Sequence, residues 1–106
     1  MNTYSDKIVI SKVDAEQLGM LLRTYRINLG LSFIDISRYL YLSSGYRVSP
    51  SDICKRELGK IKITIGYLSA YCKALSISIS LRLMGNGKIC ITSFAGAKCR
   101  VYIDAL

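Results

Sequence analysis

The stretch Val48-Ser49-Pro50-Ser51-Asp52-Ile53-Cys54-Lys55-Arg56-Glu57-Leu58-Gly59 decides how this chain is read. Ser49 can accept a free N–H at a helix start, and Pro50, at the first helical position, has no N–H to leave unpaired. Asp52 adds negative charge where the helix dipole is positive, and Gly59 suits the left-handed exit. The stretch therefore predicts a short helix over 50–58, capped at both ends by its own residues.

Similar signals lie on either side. Upstream, Ser32 is followed three residues later by Asp35, and Phe33, Ile36, Tyr39 and Leu40 recur at helical spacing, predicting a helix over about 33–42 that Ser43-Ser44-Gly45 breaks. Earlier still, Asp14 and Gln17 have capping-box spacing, and Leu18, Leu21, Leu22 and Tyr25 predict a helix over 14–28 ending at Asn28-Leu29-Gly30. Residues 1–13, in which Ile8 and Ile10 alternate with Lys7, Val9 and Ser11, read as an arm or short strand. Downstream, Thr64 opens a fourth helix that would bury Leu68, Tyr71, Cys72 and Leu75.

After Ser76 the apolar period changes from 3.6 to 2. Ile77, Ile79, Leu81 and Leu83 alternate with Ser78, Ser80, Arg82 and Met84, the pattern of a strand with one buried face. Gly85-Asn86-Gly87 forms a turn. Pairing Leu83 with Ile89 and Leu81 with Ile91 keeps apolar residues together, which a two-residue loop would not do. Cys99, Val101 and Ile103 suggest a third strand. The expected fold is mainly α with a C-terminal β hairpin or small sheet: four helices over 14–76, then two or three antiparallel strands over 77–106, within one compact domain.

Composition bounds the function. The 106 residues are 51% apolar and 21% charged, enough to bury one core. No apolar run is long enough to span a bilayer, and the N-terminus lacks a signal-peptide pattern, so a cytoplasmic protein is expected. Fifteen Lys and Arg against seven Asp and Glu leave a net charge of +8, which suits an anionic partner or simply solubility. Between Leu58 and Ile103 there are seven basic residues and no acid. The chain has no histidine, and its four cysteines, Cys54, Cys72, Cys90 and Cys99, form no CxxC pair. Cys/His zinc sites and Ser-His or Cys-His catalysis are thereby excluded, four reduced thiols are expected, and no metal, cofactor or enzymatic machinery is visible.

Over residues 16–78 the sequence resembles the lambda-repressor-like, or XRE, helix-turn-helix DNA-binding family. The resemblance rests on LLRTYRINLGLS, where Arg26 lies six residues before Ser32, and on VSPSDICKRELGKIKITIGYLSAYCKALSIS, where Val48-Ser49, Ile53 and Glu57-Leu58-Gly59 keep the family spacing. There are departures. About six extra residues, near Tyr41–Arg47, enlarge the turn or lengthen the second helix. Phe33 stands where glutamine is common, Arg56 where a packed apolar residue is usual, and Ile63 where proline is frequent.

The resemblance implies that helix 50–58 is a recognition helix, with Pro50, Ser51, Cys54 and Lys55 facing bases in the major groove. It implies phosphate contacts from Ser32, Phe33, Arg56, Lys60, Lys62 and Thr64. It also implies a structural ion pair between Arg26 and Glu57. Specific operators usually require two such units, and the mean hydropathy of +0.30 is high for so small a chain. A homodimer through Ile77, Ile79, Leu81, Leu83, Ile89, Ile91, Val101 and Ile103 is therefore expected, with Arg82, Lys88, Lys98 and Arg100 on the other face limiting aggregation. The expected function is a dimeric transcriptional regulator of bacterial or phage type, nucleoid-associated, with duplex DNA as partner and repression as the default. The main alternative is an antitoxin that holds a toxin protein and autoregulates through DNA. A protein-interaction adaptor ranks below it.

Overall fold

The computed structural model describes residues 12–85 and 87–104. Its elements run α1 (Lys12–Asn28), α2 (Phe33–Ser44), α3 (Pro50–Glu57), α4 (Ile65–Leu75), β1 (Ile79–Leu83), β2 (Lys88–Phe94) and β3 (Ala97–Asp104). Four helices and a three-stranded antiparallel sheet of order β1-β2-β3 match the expected fold class at that level.

Three of the four helices begin as their sequences dictate. Ser32 accepts from the Asp35 amide at 3.1 Å while Asp35 accepts from the Ser32 amide at 2.9 Å, a complete capping box. Burial hardly opposes this arrangement, and the backbone and side-chain hydrogen bonds with Ser32 hold the Asp35 carboxyl below its ordinary range. Ser49 caps α3 through the Asp52 amide at 3.1 Å, with Pro50 in the first turn. Thr64 caps α4 through the Tyr67 amide at 3.2 Å. The first start differs from expectation. α1 already includes Lys12 and Val13, so Asp14 lies within its first turn instead of capping it. The remainder of the expected N-terminal arm, residues 1–11, lies outside the described residues.

α2 runs two residues past its expected end at about 42. α2 continues to Ser44 and ends where Gly45 turns left-handed (φ 69°), donating to Tyr41 O at 2.8 Å. A non-helical segment over 45–49 then leads into α3. Ser37 Oγ donates to Val48 O at 2.6 Å and ties that segment back to α2.

α1 packs on α3 and β3, and α2 packs on α3 and α4. Leu18, Leu22, Ile36, Leu40, Ile53, Leu68 and Tyr71 fill the centre. The α1–α3 approach is so close that a Cβ on Gly19 would collide with Glu57 O and lie 2.7 Å from Arg56 O. Only glycine permits that contact.

Leu83 pairs with Ile89 and Leu81 with Ile91, as the face arithmetic predicts. Two irregularities follow. Between Ser80 and Leu81 the partner strand carries one extra residue, Thr92. Between Ile91 and Ser93 the partners Val101 and Lys98 have two residues between them, Cys99 and Arg100. These bulges change the alternation, so Phe94 joins the inner face with Ile91 and stacks edge-on against Tyr25 at 6.0 Å.

Candidate nucleic-acid interface

α3 has two unlike sides. Ile53 and Glu57 are buried, whereas Ser51, Lys55 and Leu58 are exposed and Cys54 is half-exposed. Positions 51, 54, 55 and 58 are spaced three and four residues apart, so they share one stripe along the outside of the helix. Pro50 sits half-buried at its entry. Four residues expected to read bases thus lie on or beside a solvent-facing surface, and the structure adds Leu58 to it. Leu58 was missed because an apolar residue at a helix end reads as core.

Arg26 and Glu57 hold α3 in place. Arg26 Nε donates to Glu57 Oε2 at 2.7 Å and Nη2 to Oε1 at 3.0 Å, a bidentate fork whose side chains are 11% and 3% exposed. Nη1 donates to Leu31 O at 2.9 Å, and the guanidinium lies 4.1 Å over the Phe33 ring. The Glu57 hydrogen bond, opposed by burial, raises the Arg26 pKa further. The expected ion pair is present, and every part of it is structural.

Several expected phosphate contacts have other roles. The half-buried Phe33 ring stacks on the Arg26 guanidinium. The N-terminus of α2 already holds a carboxylate, Asp35, on the Ser32 amide, which opposes a phosphate there. Arg56 lies 4.6 Å over the Tyr67 ring, donates from Nη1 to Asp52 O at 3.4 Å, and has its Nε buried without a hydrogen-bond partner. The Thr64 oxygen caps α4. Lys60 and Lys62 are both exposed beside Gly59, whose left-handed turn (φ 75°) closes α3 against Glu16.

A further cation stands near the start of α3. Arg47 lies 4.6 Å over the Tyr41 ring and donates from Nη2 to its hydroxyl at 3.3 Å. Both border an open cavity of about 360 Å³ with Ser37, Val48, Ser49 and Asp52. The Gly45 break that turns the chain was legible; the partnership of residues six apart was not. Of the other tyrosines in this segment, Tyr46 is half-buried edge-on to Tyr67 at 5.9 Å, and Tyr39 is exposed.

The expected dimer face is largely internal. Ile77, Ile91, Val101 and Ile103 are at most 7% exposed and belong to the protomer's own core, with Ile79 and Ile89 packed against it. Only Leu81 and Leu83, on edge strand β1, remain exposed, at 45% and 76%. The reason is geometric: the helices cover β2 and β3 but stop short of β1. The four cysteines are free, with Cys72 and Cys90 buried; burial pushes the Cys72 thiol up to about 11. No group of three or more metal-ligating side chains occurs among the described residues, and no described helix is long and apolar enough to cross a membrane. Comparison with protein-family models, curated proteins and solved structures finds no match.

Proposed function

We propose that the chain is a sequence-specific, duplex-DNA-binding transcriptional regulator of the lambda-repressor-like type, with α2 and α3 as its helix-turn-helix. The observation that carries this reading is the exposed stripe Ser51–Cys54–Lys55–Leu58 on a helix whose opposite side is locked by Ile53 and the Arg26–Glu57 fork. A rigidly held helix with a free outer face can enter a major groove. Lys55 donates to guanine O6 and N7, Ser51 serves either base type, and the Leu58 side chain meets a thymine methyl. Lys60, Lys62 and Arg47 flank the helix and supply phosphate contacts that set its register. Occupancy of a promoter represses by exclusion in the cytoplasm, without a cofactor.

The regulator acts as a homodimer. With most of the sheet's apolar face internal, the contact narrows to edge strand β1, whose Leu81 and Leu83 and a backbone edge that no other described strand pairs with suit antiparallel addition of a second copy. Light scattering during size exclusion should give twice the chain mass, and Leu83→Lys should return it to one.

A genome-wide footprint of the wild type against Lys55→Ala tests base reading. The expected result is loss of sequence preference, with discrimination at one position falling by about 1–3 kcal/mol. An unchanged footprint overturns the assignment of α3. With about six phosphates engaged, log K should fall against log salt with a slope near −5.

A further inference from the structure

The outward face of the C-terminal sheet carries a charge arrangement that α3 does not use. Arg82 on β1 and Lys98 and Arg100 on β3 are exposed, and none of the three side chains has a hydrogen bond, ion pair or ring contact with another described residue. With Thr92, Cys90 and Cys99 they line an open cavity of about 450 Å³ that crosses all three strands. The bulges build it. Thr92, the extra residue of β2, donates from Oγ1 to Ser80 O at 3.2 Å and ties β2 to the strand of Arg82. The extra residue of β3 brings Cys99 and Arg100 opposite Thr92, and Cys99 Sγ reaches Ile91 O at 3.5 Å. Cations from the outer strands therefore flank the central strand across two strand spacings, roughly 10 Å.

We propose that this face is a second nucleic-acid surface, binding the phosphodiester backbone over β2 between Arg82 on one side and Lys98 and Arg100 on the other. Its chemistry selects among anions. Exposed cations in water hold a single ion weakly, at about 1 kcal/mol for a contact of 4 Å, and salt screens even that. A repeating polyanion instead releases counterions at every contact, so its binding sums along the row. An anionic membrane is also a polyanion, but surface binding of that kind adds an apolar anchor beside the cations. The exposed leucines of this sheet, Leu81 and Leu83, pair with the inward residues Ile91 and Ile89 and so lie on the opposite face. The cavity itself is lined by cations, a hydroxyl and two recessed thiols, and the apolar contribution of this face is limited to the half-buried Tyr102 opposite Cys90.

The full chain, isotope-labelled, is titrated by NMR with a scrambled duplex of about 20 base pairs, and the same duplex is followed by anisotropy over a salt series. The expected result is movement of the amides of Thr92, Lys98 and Arg100 as well as those over 50–62. The triple variant Arg82→Ser, Lys98→Ser, Arg100→Ser should lose only the sheet set, and its salt slope should shrink by about 2.7 if each cation meets one phosphate. Arg100→Glu alone should reduce the slope in the same direction, which keeps the test valid if the triple variant unfolds. A silent sheet with moving amides over 50–62 overturns this proposal and leaves the α3 reading intact; the reverse pattern overturns the α3 reading and supports this one. Silence at both sites overturns both. Tighter binding to vesicles of anionic lipid than to the duplex, lost in Arg100→Glu, assigns the face to membranes and overturns it as well.

Discussion

The helical region and the C-terminal sheet handle charge and apolar surface in opposite ways. In the helical region two arginines are committed inside the fold, Arg26 to Glu57 and Phe33 and Arg56 to Tyr67, while the exposed Arg47 rests on the Tyr41 ring. In the sheet the side chains of Arg82, Lys98 and Arg100 have no partner among the described residues, and Leu81 and Leu83 are exposed. The difference comes from layering. Helices packed around a centre can seat long side chains against rings from neighbouring helices. A sheet covered on one face leaves its other face and its edge strand to solvent or to a partner.

The sharpest way to break this contrast is to remove one committed cation. Arg26→Ala leaves the Glu57 carboxylate, 3% exposed, without its counter-charge, and should cost on the order of 3–5 kcal/mol in denaturant unfolding. A loss below about 1 kcal/mol would mean that the fork behaves as a surface pair. Next comes a comparison within the sheet itself. Ile91→Ala removes a fully buried side chain and should cost about 2–5 kcal/mol, whereas Leu83→Ala, 76% exposed, should stay within about 0.5 kcal/mol for the isolated protomer. Equal losses would show that something covers β1 in solution.

The smallest effect is a pH dependence centred on α4, with Cys99 of β3 shifted in the same upward direction by burial. Burial raises the pKa values of Tyr67, Tyr71 and Cys72, all on α4. A raised folded pKa favours the protonated form, so this stability is complete below the unfolded values and declines as pH rises past 9 for the thiol and 10 for the phenols. Unfolding at graded pH should show that decline. Tyr67→Phe should remove about 0.4 kcal/mol of it at pH 10, one phenol's share at its unfolded midpoint.

Local signals were readable where one residue acts on its near neighbours. Ser32 with Asp35, Ser49 with Asp52 and Thr64 with Tyr67 each close a hydrogen bond within one turn, so three helix starts followed from composition and spacing. The hairpin register followed from parity, since a slip by one residue would reverse every side chain. Asp14 misled because its capping-box spacing matches that of a true cap, and nothing nearby in sequence reveals that the helix begins earlier. Phe94 was invisible for a related reason: a bulge inserts a residue and changes parity, and the sequence around Thr92 carries no glycine to mark it. The outer stripe of α3 was legible except for Leu58, and the contacts of Phe33 with Arg26 and of Arg56 with Tyr67 were not, because their partners are distant in sequence.

Caps, periods and turn residues act over a few positions, so the amino-acid order alone determined where three helices start, that strands follow them, and which residues pair next to the hairpin turn. Whether an apolar strand residue is core or surface, and whether an arginine is free or seated on a ring, depends on which elements meet across the fold. Those contacts join residues far apart in sequence, 31 positions for Arg26 and Glu57, and burial by a remote neighbour leaves no trace in local spacing. Only the tertiary structure could show that Ile91 and Val101 serve their own core, while Leu83 and the cations of the outer sheet face remain available to something else.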